Sequence, residues 1–134
     1  MQLLVNIDVD DLDRAIHFYT LAFDLVCQRR LFADSVAELV GAGCRLYLLA
    51  KPAGTPGAHG INQVRQYNRH WTPVHLDFSV PDIAAAVQRA VAAGAVLETP
   101  IQSCDWGRHA QLSDPFGHGF CLVEFSPQGY AAAP

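Results

Sequence analysis

The sequence predicts an α+β domain made of two tandem βαβββ modules. Two observations carry this. The same order of strand and helix patterns occurs twice, and the copies align. Setting Asp11-Leu12 over Asp82-Ile83 brings Ala15-Ile16 onto Ala86-Val87, and Gly41-x-Gly43 over Gly117-x-Gly119 brings Leu46 onto Leu122. Each copy also opens on a segment whose apolar residues recur at every second position, the signature of a half-buried strand.

In the first copy, Val5, Ile7 and Val9 share one face of the opening strand, and Leu4, Asn6 and Asp8 the other. Asp11 can cap a following helix, with Leu12, Ala15, Ile16 and Tyr19 at helical spacing. Strands are predicted over Leu25–Leu31, Ser35–Val40 and Cys44–Ala50, the last two separated by Gly41-Ala-Gly43. Gly- and Pro-rich KPAGTPGAHG then interrupts the pattern, and INQVRQYNRHW gives no clear periodicity. Module one covers about residues 1–52 and the connector 53–72.

Module two covers about 73–127, with a tail over 128–134. It opens on Val74–Val80, where Val74, Leu76, Phe78 and Val80 oppose His75, Asp77 and Ser79. Pro81-Asp82 starts a helix carrying Ile83, Ala86, Val87, Ala90 and Val91, and Gly94 stands at its C-terminal cap. Strands Val96–Ile101, Arg108–Ser113 and Gly119–Phe125 complete the copy.

The chain has 134 residues, 51% hydrophobic and 16% charged, enough apolar material for a core without disulfides. A net charge of −4 with dispersed basic residues argues against nucleic acid and against anionic membrane surfaces. The opening MQLLVNIDVDD is too short and too acidic for a secretory leader, and no stretch has membrane-span length. Cys27, Cys44, Cys104 and Cys121 form no CxxC, so reduced thiols and a cytoplasmic location are expected.

Val9–Tyr19, Val74–Ala95 and Ser113–Phe125 (SDPFGHGFCLVEF) resemble, in order, the two strand–helix openings and the final D-P-x-G-[NH] turn and strand of the vicinal-oxygen-chelate superfamily. That superfamily holds the glyoxalases, the bleomycin resistance proteins and the extradiol dioxygenases. The resemblance implies an open, curved eight-stranded mixed sheet, helices on its outer face and a small molecule in its hollow. A homodimer is implied by the same resemblance. Many members hold a divalent ion through His, Gln or Glu, one from the first and one from the last strand of each module.

His75 matches one of those ligand positions. The others fall on Leu4 or Asn6, on Arg45 with Tyr47 as its same-face neighbour, and on Cys121. Three of the four lack a good ligand, so no metal and no cofactor are expected. Should an ion be held, His75 and Cys121 would be its ligands, with the softness of zinc or copper sites.

The expected function is metal-free binding of a small organic molecule. The alternative is a lyase, isomerase or dioxygenase of the same superfamily, with His75 as base or metal ligand. The ligand-contacting candidates are Asn6, Asp8, Arg45, Tyr47, Trp71, His75 and Trp106; the catalytic candidates are His75, Asp77 and Cys121. His75 carries an imidazole, the side chain suited to proton transfer near neutrality. Arg45 pairs with Asp8 or Asp77, or grips a ligand carboxylate with its guanidinium fork. Tyr47, Trp71 and Trp106 offer an aromatic wall. Cys121 is a reactive thiol if a neighbouring cation lowers its pKa. Asp114 and His118 read as turn chemistry.

Overall fold

The computed structural model describes residues 1–134, and the chain divides into two compact units, Met1–Asn68 and Arg69–Pro134. Each contains one βαβββ module, and the fold class is α+β.

In the first unit β1 (Leu4–Val9), α1 (Leu12–Phe23), β2 (Val26–Leu31), β3 (Val36–Val40) and β4 (Arg45–Ala50) form a four-stranded sheet in the order β1-β4-β3-β2. The first strand runs parallel to the last and the other pairs are antiparallel. Asp11 caps α1, accepting from the Arg14 N–H at 3.0 Å. The helix buries Leu12, Ala15, Phe18, Tyr19 and Ala22; Phe18 at 1% exposure takes the deep position and Ile16 stays at the margin. Leu39, Leu46 and Leu48 complete the core, each fully buried side chain stabilising by about 1.5–3 kcal/mol. Residues 54–65 of the connector fold back on themselves: Gly54 N–H donates to Arg65 O, Gly57 N–H to Gln63 O, and Pro56 bridges Val64.

In the second unit β5 (Leu76–Ser79), α2 (Ile83–Ala93), β6 (Val96–Leu97), β7 (Gln102–Cys104), β8 (Gly107–Ser113) and β9 (Gly119–Phe125) precede a 3-10 turn at Gly129–Ala132. The sheet order is β5-β9-β8-β6, with β7 also on β8, and β5 again runs parallel to the last strand. Asp82 caps α2 through the Ala85 N–H at 3.1 Å, and Gly94, at φ 118, closes it.

Three expectations need correction. The hydrogen-bonded ladders make sheets of four and five strands, not eight strands in all, because the predicted strand Val96–Ile101 is split in two. Glu98 and Thr99 both donate to Gln111 O, a bulge of two residues against one, and Pro100 has no N–H to continue the ladder. The predicted strand Val74–Val80 pairs only over Leu76–Ser79, so His75 lies one residue before it. Trp71 packs on Gly119, the next β9 residue beyond Leu76's partner Phe120. Finally, the ladders set Asn6 opposite Tyr47 and Asp77 opposite Cys121. With Asn6 matched to Asp77 by the helix starts, Tyr47 is the counterpart of Cys121, two residues beyond the Arg45 implied by the glycine pattern.

Candidate functional site

In both units the face of the sheet away from the buried core carries the polar residues. In the first unit Ile7 and Val9 are buried while Leu4 and Asn6 are exposed. The register places Arg29, Glu38, Tyr47 and Asn6 in one row across β2, β3, β4 and β1. Glu38 is only 1% exposed. Its Oε2 accepts from Arg29 Nε at 3.1 Å and Nη2 at 2.9 Å, and its Oε1 lies 3.2 Å from Arg45 Nη1. The Arg29 hydrogen bonds, with the charge of Arg45 and the Tyr47 hydroxyl, hold this carboxyl below the usual range against the opposing effect of burial. Arg45 therefore pairs with Glu38 and not with Asp8. Asp8 is taken by Arg65, whose Nε donates to Oδ2 at 2.6 Å while its other nitrogens hold Thr55, Pro56 O and Gly57 O. Glu38 and Arg29 escaped the sequence reading; the signal was an acid at the centre of the apolar strand VAELV.

In the second unit His75, Asp77 and Cys121 come together, their ligand atoms all within 4.8 Å of one another. His75 Nε2 is 3.2 Å from Asp77 Oδ1, and both side chains are nearly half exposed. The expected activation of Cys121 is reversed. Burial first, and then the Asp77 charge and hydrogen bond, push the thiol up to about 11, so it is protonated at neutral pH. Trp71 stands edge-on to His75 at 5.1 Å between centroids, with the Arg69 guanidinium 4.9 Å from its ring. Trp106 is elsewhere. It precedes Gly107, which lies opposite Phe125, four residues along β9 from Cys121, and it stacks on His109 and packs against Tyr130. Glu124 faces away from Cys121, bound by Arg108 and by the Ile83 N–H at the start of α2, which together lower its pKa.

The glyoxalase-like domain model matches residues 4–123. The chain belongs to the glyoxalase-like domain family. An uncharacterized protein of Mycobacterium tuberculosis is 33% identical over 117 residues, covering 85% of this chain and 68% of its own length. The anthracycline biosynthesis protein DnrV of Streptomyces peucetius is 42% identical over 64 residues, 48% of this chain but 22% of DnrV. Among solved structures, TnmS3, an antibiotic binding protein from Streptomyces sp. CB03234, matches with a TM-score of 0.64 at 21% identity, covering 94% of this chain and 96% of that one.

Against the ion-binding pattern of glyoxalase-like relatives, the first unit of this family member offers Leu4, Asn6, Arg45 and Tyr47. None is a carboxylate or imidazole, and Arg45 is a permanent cation that opposes a metal ion. The second unit offers one imidazole, one carboxylate and one thiol. This donor set does not fit a hard, oxygen-coordinated ion, which takes carboxylate, carbonyl and water ligands.

Proposed function

We propose that this glyoxalase-like protein binds a small organic molecule on a polar sheet face, without a divalent ion. The observation that carries the reading is the donor set: Arg45 and Tyr47 stand on β4, where many relatives carry a metal ligand. Such a face supplies hydrogen bonds and aromatic surface rather than Lewis acidity. Asn6, Arg45 and Tyr47 offer polar contacts in the first unit; His75, Asp77 and Trp71 offer them in the second. A few polar groups on an apolar wall orient a small ligand, and Trp71, about 40% exposed, presents ring area to a planar one. The likeness to DnrV, an anthracycline biosynthesis protein, and to TnmS3, an antibiotic binding protein, favours an anthracycline-like molecule as the class to try first.

The test is fluorescence quenching of Trp71 in a Trp106→Phe background, titrated with daunorubicin and with anthraquinone-2-carboxamide, beside elemental analysis of protein purified without chelator. Saturable quenching with sub-stoichiometric metal is expected. A tightly held equimolar ion that is lost in His75→Ala would overturn the metal-free reading.

The convergence of His75, Asp77 and Cys121 favours a second reading, a lyase, isomerase or dioxygenase of the family. Asp77 would hold His75 through Nε2, leaving Nδ1 as the proton acceptor, or the three would take a soft ion such as zinc. The elemental analysis separates the zinc form from the metal-free one.

A further inference from the structure

The Arg29–Glu38–Arg45 row has a charge imbalance that its own hydrogen bonds do not resolve. Glu38 is buried, and a buried carboxylate is held ionised by close cations and hydrogen-bond donors. Arg29 supplies that on its own with two hydrogen bonds to Oε2. Arg45 adds a second positive charge 3.2 Å from Oε1, yet Oε1 accepts no hydrogen bond of good geometry. Arg45 therefore meets Glu38 as an ion pair through Nη1 rather than through a well-aligned hydrogen bond. The Arg45 and Arg29 side chains are 46% and 56% exposed, so both can be reached from solvent. The other ionic pair on this face, Asp8 with Arg65, is self-compensating. The face thus carries one net positive charge, and Asn6 and Tyr47 flank it in the same row. Exposed Leu4, opposite Arg45 on β1, supplies apolar surface beside the charge.

We propose that Arg45, with Arg29 beside it and buried Glu38 as the strut between them, is a recognition site for the carboxylate of a small organic acid. The proposal rests on the small-molecule reading above and names the charge of the ligand. One net positive charge matches a monoanion, and a guanidinium fork matches the planar, two-oxygen geometry of a carboxylate. Glu38 is a positioning residue: it fixes the guanidiniums and does not touch the ligand.

The experiment follows the arginine side-chain Nε–Hε signals by NMR while the full chain is titrated with benzoate, benzamide or inorganic phosphate. Benzoate is expected to shift the Arg45 signal and to bind about tenfold or more tightly than benzamide, the order of a charge-assisted bidentate contact. Arg45→Gln removes that preference, whereas Arg45→Lys keeps part of it by retaining charge without the fork. Because Arg45 is half exposed, both variants should fold, and an unchanged amide spectrum away from β4 checks this. Equal affinity for benzoate and benzamide, or a preference that survives in Arg45→Gln, would overturn the carboxylate site and leave small-molecule binding standing. Phosphate that displaces benzoate at a lower concentration would overturn the monoanion assignment. Failure of both benzoate and benzamide, with no quenching by daunorubicin, would remove both readings together.

Discussion

Alanine at two glycines of β8 and β9 should destabilise to unequal extents, because a new methyl meets different neighbours. A Cβ on Gly119 would lie 2.7–2.9 Å from three atoms of the Trp71 ring. Carbon atoms rest at about 3.5–4.0 Å, so the ring must retreat by about 1 Å. It can, because Trp71 sits outside the ladders and is 40% exposed. The expected cost is about 1 kcal/mol, the low end of overpacking, or about 4 °C in Tm for a chain of this size. A Cβ on Gly107 would lie 2.1 Å from the backbone oxygen of Glu124, at a φ of 151. A strand backbone cannot swing aside, and the left-handed φ adds strain, so about 3 kcal/mol or more is expected. Thermal melts of Gly119→Ala and Gly107→Ala, with Trp71 emission recorded in a Trp106→Phe background, test both. Gly119→Ala should shift the Trp71 emission as the ring leaves Gly119 and its contacts with Arg69 and His75 loosen. Equal losses of stability, or an unchanged Trp71 spectrum, would refute the placement of Trp71 on the sheet.

Phe116, within the 114–118 turn, is fully buried, and Phe116→Ala should cost about 3–5 kcal/mol by urea unfolding. Iodoacetamide should label Cys121 slowly at pH 8, as followed by peptide mass spectrometry. Asp77→Asn should speed it by removing the carboxylate that helps hold the thiol protonated. Because the folded thiol pKa of about 11 lies above its usual value of 9.0, its contribution to stability is full below that usual value and fades as pH rises towards 11. The lowered carboxyls of Glu38, Glu98 and Glu124 act in the opposite sense. Their contribution is present above the ordinary carboxyl pKa and is lost as pH falls below it, so Tm should drop on acidification, and by less in Arg108→Gln, where Glu124 loses its guanidinium.

What could be read from the sequence was local. Gly119–Phe125 was bounded correctly, and Asp11, Asp82 and Gly94 cap the helices as their positions imply. Alternation assigned the faces of β1, since burial follows side-chain direction. Turns made without glycine were harder to see: Asp24 ends α1 in the left-handed region, and Phe32, Ala33 and Asp34 all adopt positive φ between β2 and β3. Asp enters that region more readily than most residues, but nothing in the composition singles out Phe32 and Ala33. Long-range partners left no trace either. Arg65 meets Asp8 across 57 positions, and the two arginines on Glu38 reach it from different strands. The register in the first unit was misjudged by two residues because the paired glycine motifs are not equivalent points in the two ladders. The even slip preserved the faces and moved the counterpart of Cys121 from Arg45 to Tyr47.

The bulge at Glu98-Thr99 also bears on how the protein behaves at high concentration. A long straight border strand is a template on which a foreign strand can dock. Here Thr99 turns its hydroxyl inward to accept from the Gln111 N–H, Pro100 has no amide hydrogen to offer, and Glu98 carries charge at the same point. The margin is left as two short segments of two and three residues, neither long enough to seed fibrous stacking. Straightening it, by replacing Pro100 and deleting one residue of the bulge, would trade that protection for one more continuous ladder.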